Sequence, residues 1–533
     1  MNCSDVIVRY LAAAGTKYVF GYPGDPSVPF LEACRREGME FVLGTREGTS
    51  GLMAEAYGQI TDMPGVALST LGPGSSNLVN AVANAWCDRV PMIAISGQIE
   101  SRREPYFTHQ VIDHNQVFTP ISKWTTSILP TTVSTIMRKA LRVSMADRPG
   151  PVHISTPGDV VGAEASDAEI VLPPMNAIEH SIEIFGDYAD PAARIEEARR
   201  PIILAGVSAV RGRAGEAITR LAETLGCPVV VAPMAKGIVD ETHPYYAGTL
   251  DMACNAFVWD FLKSADLLIN IGFDAVELIK PWTVMKPTIH IDSIPNTDQI
   301  YQAEIEIVGP IAKAVEALDG LLSSGRMRWS ETEIATHRKK LHELYSTGRV
   351  HGRLNPTDVV DIVLAASPRD TVATTDVGSH KLLVGQGWVS RQPKTMLMSN
   401  GLSSMGYSLP AAMVAKLLMP ERHVVCFTGD GGLAMVQGEL RTASHLKLGI
   451  IVVVFCDNSL NRIELKQAAR QFPSFGTTIP ETDIPLLAKA MDCDSVRIDT
   501  AAQLEKVLSN PWTEDRPLVI AAHIDPSQYM AQF

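Results

Sequence analysis

The chain has 533 residues, 46% hydrophobic and 20% charged, with 39 Gly and 34 Pro, which excludes a single core and predicts about three globular domains of the usual ~100–200 residues. Lys plus Arg number 46 against 59 Asp plus Glu, a net charge of −13, which argues against a nucleic acid or an anionic membrane as the main partner. The eight cysteines form no CxxC or CxxH pair, so free thiols in a reducing cytoplasm are expected.

The opening run carries Asp5 and Arg9 inside its apolar stretch, which is wrong for a signal peptide. The longest apolar run near the C-terminus, 450–456, is far short of the ~20 residues a membrane span needs. In the first block, strands are expected at 18–21, 40–43, 65–70 and 91–96, most followed by a glycine-containing turn and a helical pattern. That βαβ rhythm predicts a mostly parallel sheet. The block closes near 151–157, and 160–190 reads as a linker. The second block starts at 200–206 and repeats the rhythm at 228–232, 267–272 and 288–292. A polar helical stretch at 328–350 leads to Asn355 and Pro356, and the third block has strand patterns at 371–375, 424–428, 450–456 and 517–523. The fold class is α/β, with three doubly wound parallel-sheet domains at 1–165, 190–330 and 355–533. Blocks one and three share length and rhythm, which suggests duplication of one α/β unit, although no repeat is visible in their residues.

The apolar strand 424–428 runs into Gly429, Asp430, Gly431 and Gly432, then a helical pattern through Leu446. Ligands bind at the carboxyl ends of parallel strands, and glycines there let backbone N–H groups approach an anion. Asp430 cannot neutralise a phosphate itself, so a carboxylate at this place makes sense with a cation between them. The strand 450–456 ends in Asp457, Asn458, Ser459, Leu460 and Asn461. Two strand ends thus offer carboxylates to one ion, and an all-oxygen set completed by a diphosphate suits Mg²⁺. A lone Gly-Asp-Gly-Gly is usually a plain turn; the pair, each after a buried strand, is far more specific.

On these residues the chain resembles the thiamine diphosphate enzymes, whose signature is Gly-Asp-Gly followed after roughly 25 residues by an Asn-rich pair. The resemblance implies metal ligands Asp430, Asp457 and the Ser459 carbonyl, with Asn458 as the alternative to Asp457. It extends through the first block, in Phe20–Gly24, Thr45–Gly48, Met53–Tyr57, Leu71–Asn77 and Ile95–Gln98. Taken alone, Glu47 is a solvated charge at a helix start. Within this run it falls at the family's activating acid, which shares a proton with the pyrimidine N1′ in a poorly solvated pocket. Arg46 stands where the family usually has His. The resemblance further implies cofactor contacts at Pro23, Gly24, Thr70 and Asn77, and at Gly378, Ser379 and His380 of the loop that begins at Asp376. It adds Ser403 and Met405 of the turn 399–406, where Met405 would wedge between the two cofactor rings; plain core packing is the commoner role of a Met. Gly429, Gly431, Gly432 and Asn461 complete the set. The first domain is then pyrimidine-binding, the third diphosphate-binding, and the active site lies between two subunits, giving a homodimer at minimum and a homotetramer in the larger assembly.

Across nearly the full chain the likeness is to the acetolactate synthases, nearest their catabolic branch. It rests on His109, Gln110 and Asp113, on Pro120–Trp124, on Gly150–Asp159, and on Gly272–Glu277. The biosynthetic branch carries flavin determinants in the middle domain, including an Arg-Phe-Asp run that is absent here, so no FAD is expected. The likeness implies a Mg²⁺-dependent C–C bond lyase or transferase that decarboxylates or ligates a 2-oxo acid through a C2-carbanion. His109 and Gln110 stand as substrate-side catalytic groups, His109 because neutral imidazole suits proton handling near pH 7. Arg462 replaces a Met and Lys466 a Trp of related synthases, so the pocket admits a larger or acidic substrate unless both line a solvated helix face. The alternatives are a simple decarboxylase of the benzoylformate type, whose His before the glycine-rich loop is missing at Ser69–Leu71, an acyl-CoA lyase, and a non-catalytic thiamine diphosphate or nucleotide sensor.

Overall fold

The computed structural model describes residues 1–173, 188–323, 328–509 and 514–532. The N-terminal sheet holds β1 (Tyr18–Tyr22), β2 (Glu40–Leu43), β3 (Gly65–Ser69), β4 (Met92–Gln98), β5 (Trp124–Ser127) and β6 (Pro151–Pro157). Their order is β2-β1-β3-β4-β6-β5, with every pairing parallel. Parallel strands need helical crossovers, which cover both faces, so the inner strands lose the polar alternation of a half-solvated sheet. β3, β4 and β6 are accordingly buried at every residue.

The central sheet holds β7 (Pro201–Ala205), β8 (Val229–Val231), β9 (Tyr246–Thr249), β10 (Leu267–Ile271), β11 (Thr288–Asp292) and β12 (Ile305–Val308), ordered β12-β11-β10-β7-β8-β9. This is a dinucleotide-fold order, with its reversal between β10 and β7. The third sheet holds β13 (Val372–Thr375), β14 (Met396–Met398), β15 (Val424–Gly429), β16 (Ile451–Cys456), β17 (Asp494–Ile498) and β18 (Leu518–His523). Its order, β14-β13-β15-β16-β18-β17, is the N-terminal order strand for strand. The three parallel α/β sheets expected from the sequence are all present, and the first and third share a topology their residues do not reveal. In both, the order reverses between the first and third strands, β1/β3 and β13/β15, which is where such sheets open a crevice.

By internal contacts the chain forms two compact units: the N-terminal sheet with Leu402–Leu418 and Val436–Leu446, and the central and third sheets. Of the strands not expected from the sequence, β5, β9, β12, β14 and β17 are sheet edges, whereas β6, where the first block was expected only to close, lies inside its sheet and carries His153, Ser155 and Thr156 in place of an apolar run. Part of the expected linker, 174–187, lies outside the described residues. The polar stretch at 328–350 is the helix Glu331–Tyr345, started by a capping box between Ser330 and Glu333. The helix expected from Asp430 through Leu446 is two, Asp430–Val436 and Glu439–His445, broken at Gly438. A Cβ at Gly438 would stand 3.0–3.2 Å from side-chain atoms of Thr45, so any larger residue there would press on that side chain. Among the described residues no helix is long and apolar enough to cross a membrane, and all eight cysteines are free.

Candidate functional site

Asp376 is the first residue past β13 and Asp430 the first past β15, so both stand at the switch point of the third sheet. Asp376 is fully buried, with Oδ1 2.9 Å from His380 Nε2 and Oδ2 accepting from Thr428 Oγ1. Gly432 crosses above it so closely that a Cβ would stand 2.1 Å from Asp376 Oδ2. Backbone passing this near a strand end is what a glycine-rich anion loop provides.

Asp430 reaches across to the end of β16. Its Oδ1 accepts the Gly431 N–H at 2.7 Å, and its Oδ2 accepts the N–H groups of Asn458 at 2.7 Å and Asp457 at 3.2 Å. Burial, and then the neighbouring charge of Asp430, push the Asp457 carboxyl up to about 7. Two carboxylates held this way favour a cation that relieves both the repulsion and the desolvation. Among the described residues no three His, Cys, Asp or Glu side chains gather as a metal cage. An ion here would complete its shell with carbonyl and ligand oxygens, the habit of Mg²⁺. Asn458 adopts a left-handed φ of 55° and engages Asp430 through its backbone N–H. Ser459 forms an isolated antiparallel bridge with Thr478, and its hydroxyl donates to Glu464. Ser379 Oγ donates to Asn461 Oδ1 at 2.6 Å, joining the loop after β13 to the turn after β16. His380 is buried against Phe455, ring centroids 5.3 Å apart. With Nε2 on Asp376, the Nδ1/Cε1 edge of its ring faces Gly378 and Gly429. Arg462 is half-buried, and burial lowers the pKa of its guanidinium.

In the N-terminal unit, Glu47 is the first residue of the helix Glu47–Thr61 and is 7% exposed. Asn77 Nδ2 donates to its Oε2 at 3.2 Å. A Cβ at Gly74 would meet both Glu47 Oε1 and the Thr70 methyl at 2.7 Å, which brings Glu47, Thr70 and Asn77 together. Gly24 closes the β1/β3 switch point from the other side, its Cβ position 2.1 Å from Thr70 Oγ1. Gln110, at φ 61°, lays its backbone carbonyl against Gly72, while its side chain and that of His109 are exposed. The His109 ring is edge-on to Phe107 at 6.5 Å. Ser403 has a φ of 60°, Met405 is half-buried, and Ser404 between them donates to Asn80 Oδ1 at 2.9 Å.

Three buried residues were not singled out as site residues from the sequence. Asp376 and Asn400 lie inside the motifs 376–380 and 399–406 that carry the resemblance. Lys381 lies just past the first and carries no local signal. Lys381 Nζ donates to the Ser399 carbonyl at 2.7 Å and Asn400 Oδ1 at 3.2 Å, and Asn400 Nδ2 donates to the Glu277 carbonyl at 2.9 Å. They brace the start of the 399–406 turn.

Three family models match the chain: the N-terminal TPP binding domain of the thiamine pyrophosphate enzymes at residues 1–117, their central domain at 189–318, and their C-terminal TPP binding domain at 376–522. The chain is similar to acetolactate synthase of Bacillus subtilis, at 27% identity over 98% of this chain and 93% of that protein. It is similar to the catabolic acetolactate synthase of Raoultella terrigena at 28% identity over 98% and 95%. The large subunit of acetolactate synthase isozyme 1 of Escherichia coli is 28% identical over 98% and 94%.

Proposed function

The chain belongs to the thiamine pyrophosphate enzyme family, and on that premise we propose that it is a Mg²⁺-dependent, acetolactate synthase-like carboligase acting on a 2-oxo acid. The observation that carries the proposal is the approach of Asp430 to Asp457 at the ends of adjacent strands, together with the separate buried acid Glu47. Thiamine diphosphate, when bound, supplies the electron sink that lets CO₂ leave a 2-oxo acid and a new carbon–carbon bond form. Asp430, Asp457 and the Ser459 carbonyl hold Mg²⁺; the Asp457 carboxyl, half-buried and pushed up by desolvation and by the charge of Asp430, supports it over Asn458. Gly378, Ser379, His380, Gly429, Gly431, Gly432 and Asn461 frame the diphosphate. Pro23, Gly24, Thr70, Asn77 and the backbone of Ser403 and Met405 hold the pyrimidine. Glu47 shares a proton with the pyrimidine N1′, and the Asn77 amide orients its carboxyl. His109 and Gln110 handle protons on the substrate side.

The reading without FAD rests on the Arg-Phe-Asp run that the central domain lacks, since loss of CO₂ and formation of one C–C bond involve no net redox change and do not decide it. The central sheet supports that reading. At its β10/β7 switch point a Cβ on Gly206 would stand 2.4 Å from Phe273 Cα and 2.5 Å from Glu277 Oε2, and Glu277 itself accepts the Val207 N–H at 2.8 Å. Gly206 is thus closely approached by the chain and by a buried carboxyl, which burial pushes up to about 8.

The active assembly is a homodimer or homotetramer. The helix Asn461–Ala469 has no buried residue, and Ile463, Phe472 and Phe475 are 47%, 59% and 85% exposed, which supports cover by a second copy. A cytoplasmic enzyme without nucleic-acid or membrane partners fits the net charge of −13 and the free thiols. Incubation with thiamine diphosphate, Mg²⁺ and pyruvate tests the reaction: acetolactate with CO₂ is expected. Acetaldehyde without acetolactate makes the protein a simple decarboxylase, and no product from any 2-oxo acid overturns the proposal and leaves the acyl-CoA lyase and the sensor.

A further inference from the structure

Glu439 is the first residue of the helix Glu439–His445, nine positions beyond Asp430. Its side chain is fully buried, and its contacts lie with the N-terminal sheet. Oε1 accepts the Thr45 N–H at 2.8 Å, the Thr45 hydroxyl at 2.6 Å, and the Thr49 hydroxyl. Oε2 is buried with no hydrogen-bond partner. A carboxylate left half-satisfied in the interior is costly, and an apolar side chain would fill the space at less expense. The donors it captures are specific: Thr45 and Thr49 flank Glu47 on either side, spanning the first turn of the helix that Glu47 begins. The packing is shaped to admit it. A Cβ on Gly438 would crowd Thr45 at 3.0 Å, and one on Gly44 would approach Glu439 Oε1 at 3.4 Å.

We propose that Glu439 is a positioning residue for Glu47. By gripping Thr45 and Thr49 it fixes where the helix starts, and so the direction in which the Glu47 carboxyl is presented to the pyrimidine N1′. The same segment that supplies the metal ligand Asp430 thereby also sets the activating acid of its own chain. This rests on the reading of Glu47 as that acid.

The test uses the full-length chain. Hydrogen–deuterium exchange in the cofactor-free protein reads the link directly, because the Thr45 amide donates to Glu439. Glu439→Ala is expected to speed exchange over residues 44–52 at least tenfold. Saturated with thiamine diphosphate and Mg²⁺, it should lower kcat tenfold or more while KM for the 2-oxo acid and the cofactor affinity change less than threefold. Glu439→Gln keeps the Oε1 acceptor and should restore both readouts to within threefold of wild type. Thr49→Val, which removes one donor and leaves no cavity, should lower kcat by a smaller factor. If Glu439→Ala fails to fold, Thr49→Val decides alone. Wild-type exchange or wild-type kcat in Glu439→Ala, or in Thr49→Val where that variant decides, overturns the proposal while Glu47→Gln is impaired. Full turnover by Glu47→Gln instead removes the reading of Glu47, whatever Glu439 does.

Discussion

The N-terminal and third sheets run their strands in one order, yet their carboxyl ends hold opposite chemistry. Past β15 and β16 the chain presents Asp430 and Asp457; past the matching β3 and β4 it presents Thr70 and Ile99. Both switch points are closed the same way, by a glycine on which a Cβ would stand 2.1 Å from a side-chain oxygen: Gly432 over Asp376 and Gly24 over Thr70. The acid on the N-terminal side arrives by another route, past β2, as Glu47 with an amide partner. A shared topology therefore makes two similar crevices, and the residues one step past each strand choose the ligand. Paired carboxylates ask for a cation; a single carboxyl beside a neutral amide can share a proton.

Breaking the charged crevice should cost most. Asp430→Ala is expected to lower turnover roughly a thousandfold or more and to abolish the metal dependence of cofactor binding. Titration of tryptophan fluorescence with thiamine diphosphate, with and without Mg²⁺, checks this; retained Mg²⁺-dependent affinity would place the metal elsewhere. On the other side, Glu47→Gln should keep cofactor affinity within about threefold yet lose roughly 10²–10³-fold in kcat, the scale of one positioned acid. Equal losses of binding in the two variants would erase the contrast between the crevices.

The glycines sharpen what the crevices share. Gly24→Ala and Gly432→Ala should each destabilise the protein by about 1–3 kcal/mol in urea unfolding. Gly432→Ala should also weaken cofactor binding, because its Cβ strikes Asp376, which His380 holds in place. The smallest effect is on pH. Without metal, Asp457 keeps its proton up to about 7 in the fold against 3.8 when unfolded. Its contribution to stability is present below the unfolded value and lost as the pH rises across that interval. Thermal melts in EDTA should show this decline for the wild type and a flatter one for Asp457→Asn.

Much of this was legible in the residues because buried parallel strands write themselves as short apolar runs, and β3, β4, β7, β10, β15 and β16 were all visible that way. Most of the unmarked strands are edges, where half the surroundings are missing, and the interior β6 hides its pattern behind His153, Ser155 and Thr156. β12 alternates partly buried and exposed residues, and β14 has three residues, too few for a pattern. In the candidate site, glycine-rich strand ends are local signals and stood out. Asn400 against Glu277 and Glu439 against Thr45 are contacts between residues 123 and 394 positions apart. No spacing rule on one strand or helix reaches that far.

The helix Glu47–Thr61 is buried along most of its length, and its neighbours within the same compact unit include the helix Ser408–Leu418. Leu446, the last segment end of that unit, is synthesised roughly 290 residues after Pro157 closes the N-terminal sheet. At ~5–20 residues per second, that interval lasts about 15–60 s on the ribosome. For most of it the nascent N-terminal sheet has no Ser408–Leu418 to cover its helix and no Glu439 to hold Thr45. The unit that carries Glu47 is thus the first to begin, yet it waits for more than half of the chain that follows its own sheet before its last segment is made.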